Sequence, residues 1–205
     1  MIIAIIGSGN VGSALAQSFI RAKHTVLIGA KFPLSEKSLK LATLIGEDRF
    51  TSVENAARQA EVIILTTPPD AVLNILPQLG NVADKIIVDA TNAIRVKPAG
   101  YATAFAAIKD LAQTDKVVKC FNTTGFENML QPAYPGGGID MFCAGNNKEA
   151  KQVVQQLCTD IGFANCYDFG GDDKVELLEQ LALSWINLAI MQGHGRNIAF
   201  KVVRR

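Results

Sequence analysis

Through the first two thirds of the chain, short apolar runs alternate with longer stretches in which apolar positions recur at helical spacing. The runs at residues 2–6, 25–28, near 50, 61–65, 85–89 and 116–121 are apolar almost without interruption, as strands covered on both faces must be. The amphipathic stretches at 11–22, 35–45, 53–59, 70–79 and 103–111 predict the intervening helices. Such alternation implies parallel strands joined by right-handed crossovers, hence an α/β, doubly wound sheet of the Rossmann type. After Phe121 the rhythm changes. A turn-rich QPAYPGGG at 131–138 precedes a short strand at 141–144, a helix at 148–161 and a strand at 165–169, which predicts that the sheet is extended. The chain closes in a helical tail at 172–192, apolar around most of its circumference. A helix of that kind has to be covered, by its own sheet or by a second copy in a homodimer.

The 205 residues suit one compact domain, with a core at 1–122 and an extension of sheet and long helix at 123–205. Twenty basic against nineteen acidic residues leave a net charge of +1, which gives no general attraction to nucleic acid or an anionic membrane. The opening apolar run is too short for a signal-peptide core, and the longest apolar stretch, 181–191, falls short of a bilayer crossing. The expectation is a cytoplasmic protein. Cys120, Cys143, Cys158 and Cys166 form no C-x-x-C pair, and His24 and His194 lie far apart. This spacing predicts reduced, mostly buried thiols and no metal, with a redox-sensing pair as the alternative.

The chemistry starts at G7-S-G-N-V-G12, directly after the first strand and directly before an amphipathic helix. In a dinucleotide site Gly7 permits the tight turn, Gly9 lets a pyrophosphate approach the backbone, and Gly12 lets the helix pack closely on the strand. The helix then offers unpaired N–H groups and the positive end of its dipole to the diphosphate. At the end of the second strand, LIGAK places Gly29 where NAD-binding sites carry an Asp or Glu for the adenosine ribose. A carboxylate about 4 Å from a phosphate charge costs on the order of 4 kcal/mol at an effective dielectric of 20, so its absence favours NADPH. Lys31 supplies a positive charge nearby, or is simply a solvated lysine.

With those residues in hand, the chain resembles the NADPH-dependent, coenzyme F420 type oxidoreductases, a group that also includes the soluble reductase domain of the six-transmembrane metalloreductases. The resemblance rests on IIGSGNVGSALA, VLIGAK, VIILTTPPDAV, IIVDATN, VVKCFNT, MFCAG and the closing INLAIMQGHGRNIAFKV. It implies NADPH along the carboxyl edge of the sheet and hydride transfer to a flavin or deazaflavin acceptor, a small molecule. It further implies Ser8, Gly9, Asn10 and Val11 at the pyrophosphate and Ala30 and Lys31 at the 2′-phosphate. Thr66, Thr67 and Pro68 would line the cofactor, with Asn92 and Asn122 towards the nicotinamide. Ala30 departs from the family's usual hydroxyl residue and Lys31 from its arginine, which exchanges a planar fork for a point charge.

Position along the strands supports the same residues, because ligands of open parallel sheets sit beyond the carboxyl ends. Each retains a structural alternative: Thr67 to Asp70 as a helix start, Asp89 to Asn92 as a hydrogen-bonded turn. Hydride transfer needs two stacked rings and no dedicated general acid, so no catalytic side chain is assigned. His194 is the one proton-donor candidate, and the Pro135 to Gly138 loop is either a lid or a plain connection. Two further functions stay open: an imine or small-carbonyl reductase like the pyrroline-carboxylate reductases, and a non-catalytic NADPH-binding module.

Overall fold

A computed structural model describes residues 1–30 and 35–205. Six parallel strands, β1 (Ile2–Ile6), β2 (Thr25–Gly29), β3 (Phe50–Thr51), β4 (Val62–Leu65), β5 (Ile86–Asp89) and β6 (Val117–Lys119), form one sheet. Their spatial order is β3-β2-β1-β4-β5-β6, so the strand order reverses between β1 and β4. That reversal opens a crevice at the carboxyl ends of those two strands. The fold is a Rossmann-like α/β sheet with a helical C-terminal region.

The pleat sorts the strand residues onto two faces. Ile3 and Ile5 join one core with α1 (Asn10–Arg21) and α7 (Lys148–Asp160) through Ala14, Leu15, Phe19, Val154 and Leu157. Ala4 and Ile6 join the other with α3 (Val53–Gln59), α5 (Ala104–Leu111) and α8 (Val175–Ile186) through Val53, Ala57, Phe105 and Leu178. The remaining helices are α2 (Glu36–Ile45), α4 (Val72–Ile75) and α6 (Phe126–Leu130).

Four elements differ from the sequence expectation. The helix expected at 70–79 is a single α-turn, α4, between 3₁₀ segments Pro69–Ala71 and Leu76–Gln78, because Pro77 cannot donate the hydrogen bond that would continue it. The tail is helical from Val175 to Ile186 and loosens into a π-helical turn, Asn187–Met191, with Leu177, Leu188, Ile190 and Met191 exposed. The extension consists of the hairpin β7 (Ala133–Tyr134) and β8 (Gly137–Gly138) and the parallel pair β9 (Asp140–Cys143) and β10 (Asn165–Asp168). A single antiparallel bridge between Lys119 and Ala144 joins that pair to β6. Strand β6 stops short of its expected end at 121, since Phe121 takes a left-handed backbone with φ 59° and turns the chain ahead of Asn122. Such a conformation costs a bulky residue about 1–3 kcal/mol and persists only where packing enforces it; Phe121 is fully buried against Phe19.

Candidate active site

The glycine turn is built as its spacing predicts. Gly7 has φ 120°, and a Cβ there would stand 2.8 Å from the Thr66 hydroxyl. A Cβ at Gly12 would stand 2.1 Å from the Gly7 carbonyl oxygen, so α1 packs on the turn only without a side chain. Gly9 is different: its backbone is ordinary extended chain and a Cβ would meet nothing within 4 Å. Packing therefore does not demand glycine at 9, whereas the close approach of a ligand would. Gly9 is also the N-cap of α1, no side chain caps the helix, and its first turn carries no acid. The amides of Asn10, Val11 and Gly12 thus keep their donors and their share of the helix dipole for an anion. These features fit a diphosphate.

Around the turn, side chains fall into two sets. Thr66 is spent internally: its hydroxyl donates to the carbonyls of Ile6 and Gly7 and pins the glycine turn to β4. Ser8 shares a hydrogen bond with Ser38 on α2, whose own N-cap is Ser35. The hydroxyl of Thr67 and the Oδ1 of Asn122 are buried with no partner among the described residues. A buried polar oxygen without a partner costs about 1–3 kcal/mol, so Asn122 Oδ1 calls for a donor and the Thr67 hydroxyl for a donor or an acceptor. Asn122 and Asn92 bond each other twice: Asn122 Nδ2 donates to Asn92 Oδ1 at 3.0 Å, and Asn92 Nδ2 to the Asn122 carbonyl at 2.9 Å.

Gly29 has a structural reason of its own. A Cβ there would lie 2.6 Å from the Ile6 Cδ1 methyl and 3.1 Å from Val53 Cα, so packing also favours glycine at that place. Gly29 thus has a packing reason beside the missing acid. Ala30 is buried, and Lys31 lies outside the described residues.

Beyond the strand ends lies a cavity of about 460 Å³. Val11 from the glycine turn, Pro68, Asn92 and Asn122 line it together with Phe126, Trp185 and Ile190. Two arginines border it. Arg196 is held by Glu127 at 2.5 Å and lies over the rings of Phe126 and Trp185. Arg95 is exposed and has no partner among the described residues. A larger cavity of about 530 Å³ lies at the opposite, amino end of the strands beside Met1, Glu61 and Lys85, away from the glycine turn. The carboxyl-end cavity is the one that the fold's crevice and the helix dipole both serve.

Beneath it sits a charge cluster that the strand pattern hides. Lys119 is fully buried, and its ammonium donates to Asp89 at 2.9 Å, Glu179 at 2.6 Å and the Thr91 carbonyl at 2.7 Å. Glu179 accepts in turn from the Ala93 N–H, and Asp89 from the Thr91 N–H. The loop that carries Asn92 is thereby tied to β6 and α8. The turn expected for Asp89 is present, and Asp89 serves the lysine as well. The signal was a lone cation inside VVKCF and a lone acid inside LLEQL, charges that interrupt otherwise apolar runs. Two other expectations receive no support. His194 is exposed and lines no part of the cavity. The loop at 135–138 is a tight hairpin whose Gly138 packs against Ala164, away from the cavity, and so is no lid over it.

Residues 2–93 match the family model described as NADP oxidoreductase coenzyme F420-dependent. An F420-dependent NADP reductase of Methanothermobacter thermautotrophicus is 28% identical over 98% of this chain and 94% of its own. The chain is thus similar, over nearly its whole length, to F420-dependent NADP reductases. Another such reductase, from Methanocaldococcus jannaschii, is 26% identical over 93% of each chain. The crystal structure of a putative F420-dependent NADP reductase from an Arthrobacter species superposes over the whole of both chains with a TM-score of 0.87 at 25% identity. A reductive aminase of Aspergillus terreus, at 16% identity and TM-score 0.66, shares the fold alone, and the match spans 62% of that chain. No described helix is long and apolar enough to cross a membrane.

Proposed function

We propose that this chain is an NADP-dependent oxidoreductase that moves hydride between the nicotinamide of NADPH and a deazaflavin of the coenzyme F420 type. One observation carries the reading: Val11 of the anion-binding turn and Trp185 of the tail line the same cavity, so a dinucleotide seated on α1 reaches a space walled by aromatic side chains. The names of the relatives support the same reaction.

When bound, the nucleotide supplies the hydride chemistry itself. The chain's part is to bind, orient and exclude water. The amides of Asn10, Val11 and Gly12 hold the diphosphate, with Ser8 beside them. Asn122 Oδ1 accepts from the nicotinamide carboxamide, and Asn92 keeps Asn122 in place. Thr67 gives its hydroxyl to the cofactor and Pro68 closes its flank. Ala30 and Lys31 take the 2′-phosphate. Phe126, Trp185 and Ile190 give a planar acceptor its apolar walls, which fixes the two rings in contact. The exposed apolar side chains of the tail, Leu177, Leu188, Ile190 and Met191, support a homodimer across that face.

The test is a binding titration with NADPH and NADH, then turnover of NADPH with F420 and, separately, with FMN. The expected result is tighter NADPH binding, a preference that shrinks in Lys31→Ala, and turnover with the deazaflavin. Equal affinity for both nucleotides, or no oxidation of NADPH with either acceptor, overturns the proposal.

A further inference from the structure

All four cysteines of the chain converge on one buried place, and the strand register explains how. Lys119 faces Ala144 in the antiparallel bridge, so Cys120 and Cys143 follow as opposed residues of neighbouring strands on a common face. In the parallel pair β9–β10, Asp168 is set against Cys143 and Cys166 against Met141, which puts Cys166 on that face too. Helix α7 packs over it and contributes Cys158. The Sγ atoms of Cys120 and Cys158 are 3.6 Å apart, and those of Cys120, Cys158 and Cys166 all lie within 4.8 Å of one another. Cys143 is fully buried in the same core cluster. None of the four lines the nucleotide cavity.

The spacing selects among occupants. A d¹⁰ ion bound to thiolates at about 2.3 Å holds its sulfurs about 3.8 Å apart, so this cluster lies within about 1 Å of a coordinating arrangement. A disulfide needs its sulfurs at about 2.05 Å, well inside every spacing found here. The donors are all soft. The nearest carboxylate along β10, Asp168, is engaged by Lys151 at 2.7 Å. Cys166 is the only one of the four that is not fully enclosed, which gives an ion its entry.

We propose that Cys120, Cys158 and Cys166, with the Cys143 thiol alongside, form a binding site for one thiophilic divalent ion of the zinc or cadmium class. Three thiol protons leave to solvent as three metal–sulfur bonds form, and no electrons move. The bound ion clamps β6, β10 and α7 together, the seam where the sheet extension rests on a single bridge. Sequence spacing argued against a metal because the three ligands come from separate elements, united only by strand register and the packing of α7.

The test is a Cd²⁺ titration of the reduced, chelator-treated full chain, read by sulfur-to-cadmium charge-transfer absorption. The expected result is saturation at one ion per chain, protection of three thiols from a native-state thiol reagent, and a raised thermal midpoint. Cys166→Ser, at the least enclosed position, should lose the absorption while its NADPH affinity, an independent sign of an intact fold, stays at the parent value. No absorption at one equivalent, or the same absorption in Cys166→Ser, overturns the proposal.

Discussion

Replacing Lys119 by methionine tests whether the buried charge cluster holds the Asn92 loop in place. Methionine keeps the length and apolar stem of the side chain and removes only the ammonium. Asp89 and Glu179 both touch that one nitrogen, at 2.9 and 2.6 Å. Their oxygens therefore lie within about 5.5 Å of each other, and at an effective dielectric of 20 they repel by about 3 kcal/mol once the cation is gone. Each carboxylate also loses a charge-assisted hydrogen bond in a site without water access. Breaking a buried pair from one side generally costs about 3–5 kcal/mol. For a domain of this size that lowers the thermal midpoint by about 6–20 °C. Adding Glu179→Gln to Lys119→Met removes the like-charge repulsion and should return part of the loss, which a double-mutant cycle in urea measures as a coupling of more than 1 kcal/mol. NADPH affinity should fall in the single variant, because the Ala93 N–H loses a fixed acceptor and Asn92 its position. A single variant within 1 kcal/mol of the parent, or strictly additive effects in the cycle, would refute this account of the cluster.

Gly9 and Gly12 should separate binding from folding. Gly9→Ala adds a methyl to open space, so urea stability stays within about 0.5 kcal/mol while NADPH affinity drops at least tenfold by titration. Gly12→Ala meets a carbonyl oxygen at 2.1 Å and should unfold earlier whether or not nucleotide is present. Equal stability losses in the two variants would remove the argument for a ligand at Gly9. A pH dependence follows from Glu127: partial burial pushes its carboxyl up, but the Arg196 hydrogen bonds and charge outweigh this and hold it below its ordinary value of 4.5. A carboxylate lowered in the fold contributes stability that is complete above 4.5 and lost as pH falls through the lower, folded value. Trp185 is the sole tryptophan and lies 5.4 Å from Arg196, so its emission reports the release. The transition should be centred below pH 4.5, and Glu127→Gln should show the released emission at neutral pH; a parent midpoint at or above 4.5 contradicts the assignment.

The sheet was legible because buried parallel strands are apolar without interruption, and the glycine turn because Gly7 and Gly12 meet steric demands while Gly9 leaves space for a ligand. Helix ends were less legible where proline or a π-turn intervened, as at Pro77 and Asn187. Two groupings escaped for one reason: they are assembled from distant elements. Lys119, Asp89 and Glu179 come from β6, β5 and α8, and the cysteines from the residue after β6 and from β9, α7 and β10, so no local pattern holds either set. Gly29 carries two causes at once: the close approach of Val53 and the absence of a ribose-binding acid.

The family match at 2–93 covers the glycine turn, Thr66 to Pro68 and Asn92, whereas Asn122, Phe126, Trp185 and Arg196 lie beyond it. On the proposed reading, nucleotide and acceptor recognition sit largely on different parts of the chain and should be separable by mutation. Arg95 offers the cleanest separation, since it borders the cavity, is exposed, and has no partner among the described residues whose loss would disturb the fold. An exposed guanidinium facing an anionic group contributes about 0.2–1 kcal/mol, a change of roughly 1.5- to 5-fold in KM. Arg95→Ala should therefore raise KM by that factor for an acceptor that carries a phosphate, such as FMN, and leave riboflavin unchanged, with the NADPH dissociation constant at its parent value. The phosphate-specific effect should also shrink at high salt, because an exposed pair is screened. Equal losses for FMN and riboflavin would mean that Arg95 shapes the cavity without reading charge, and a loss confined to NADPH would move it to the nucleotide side.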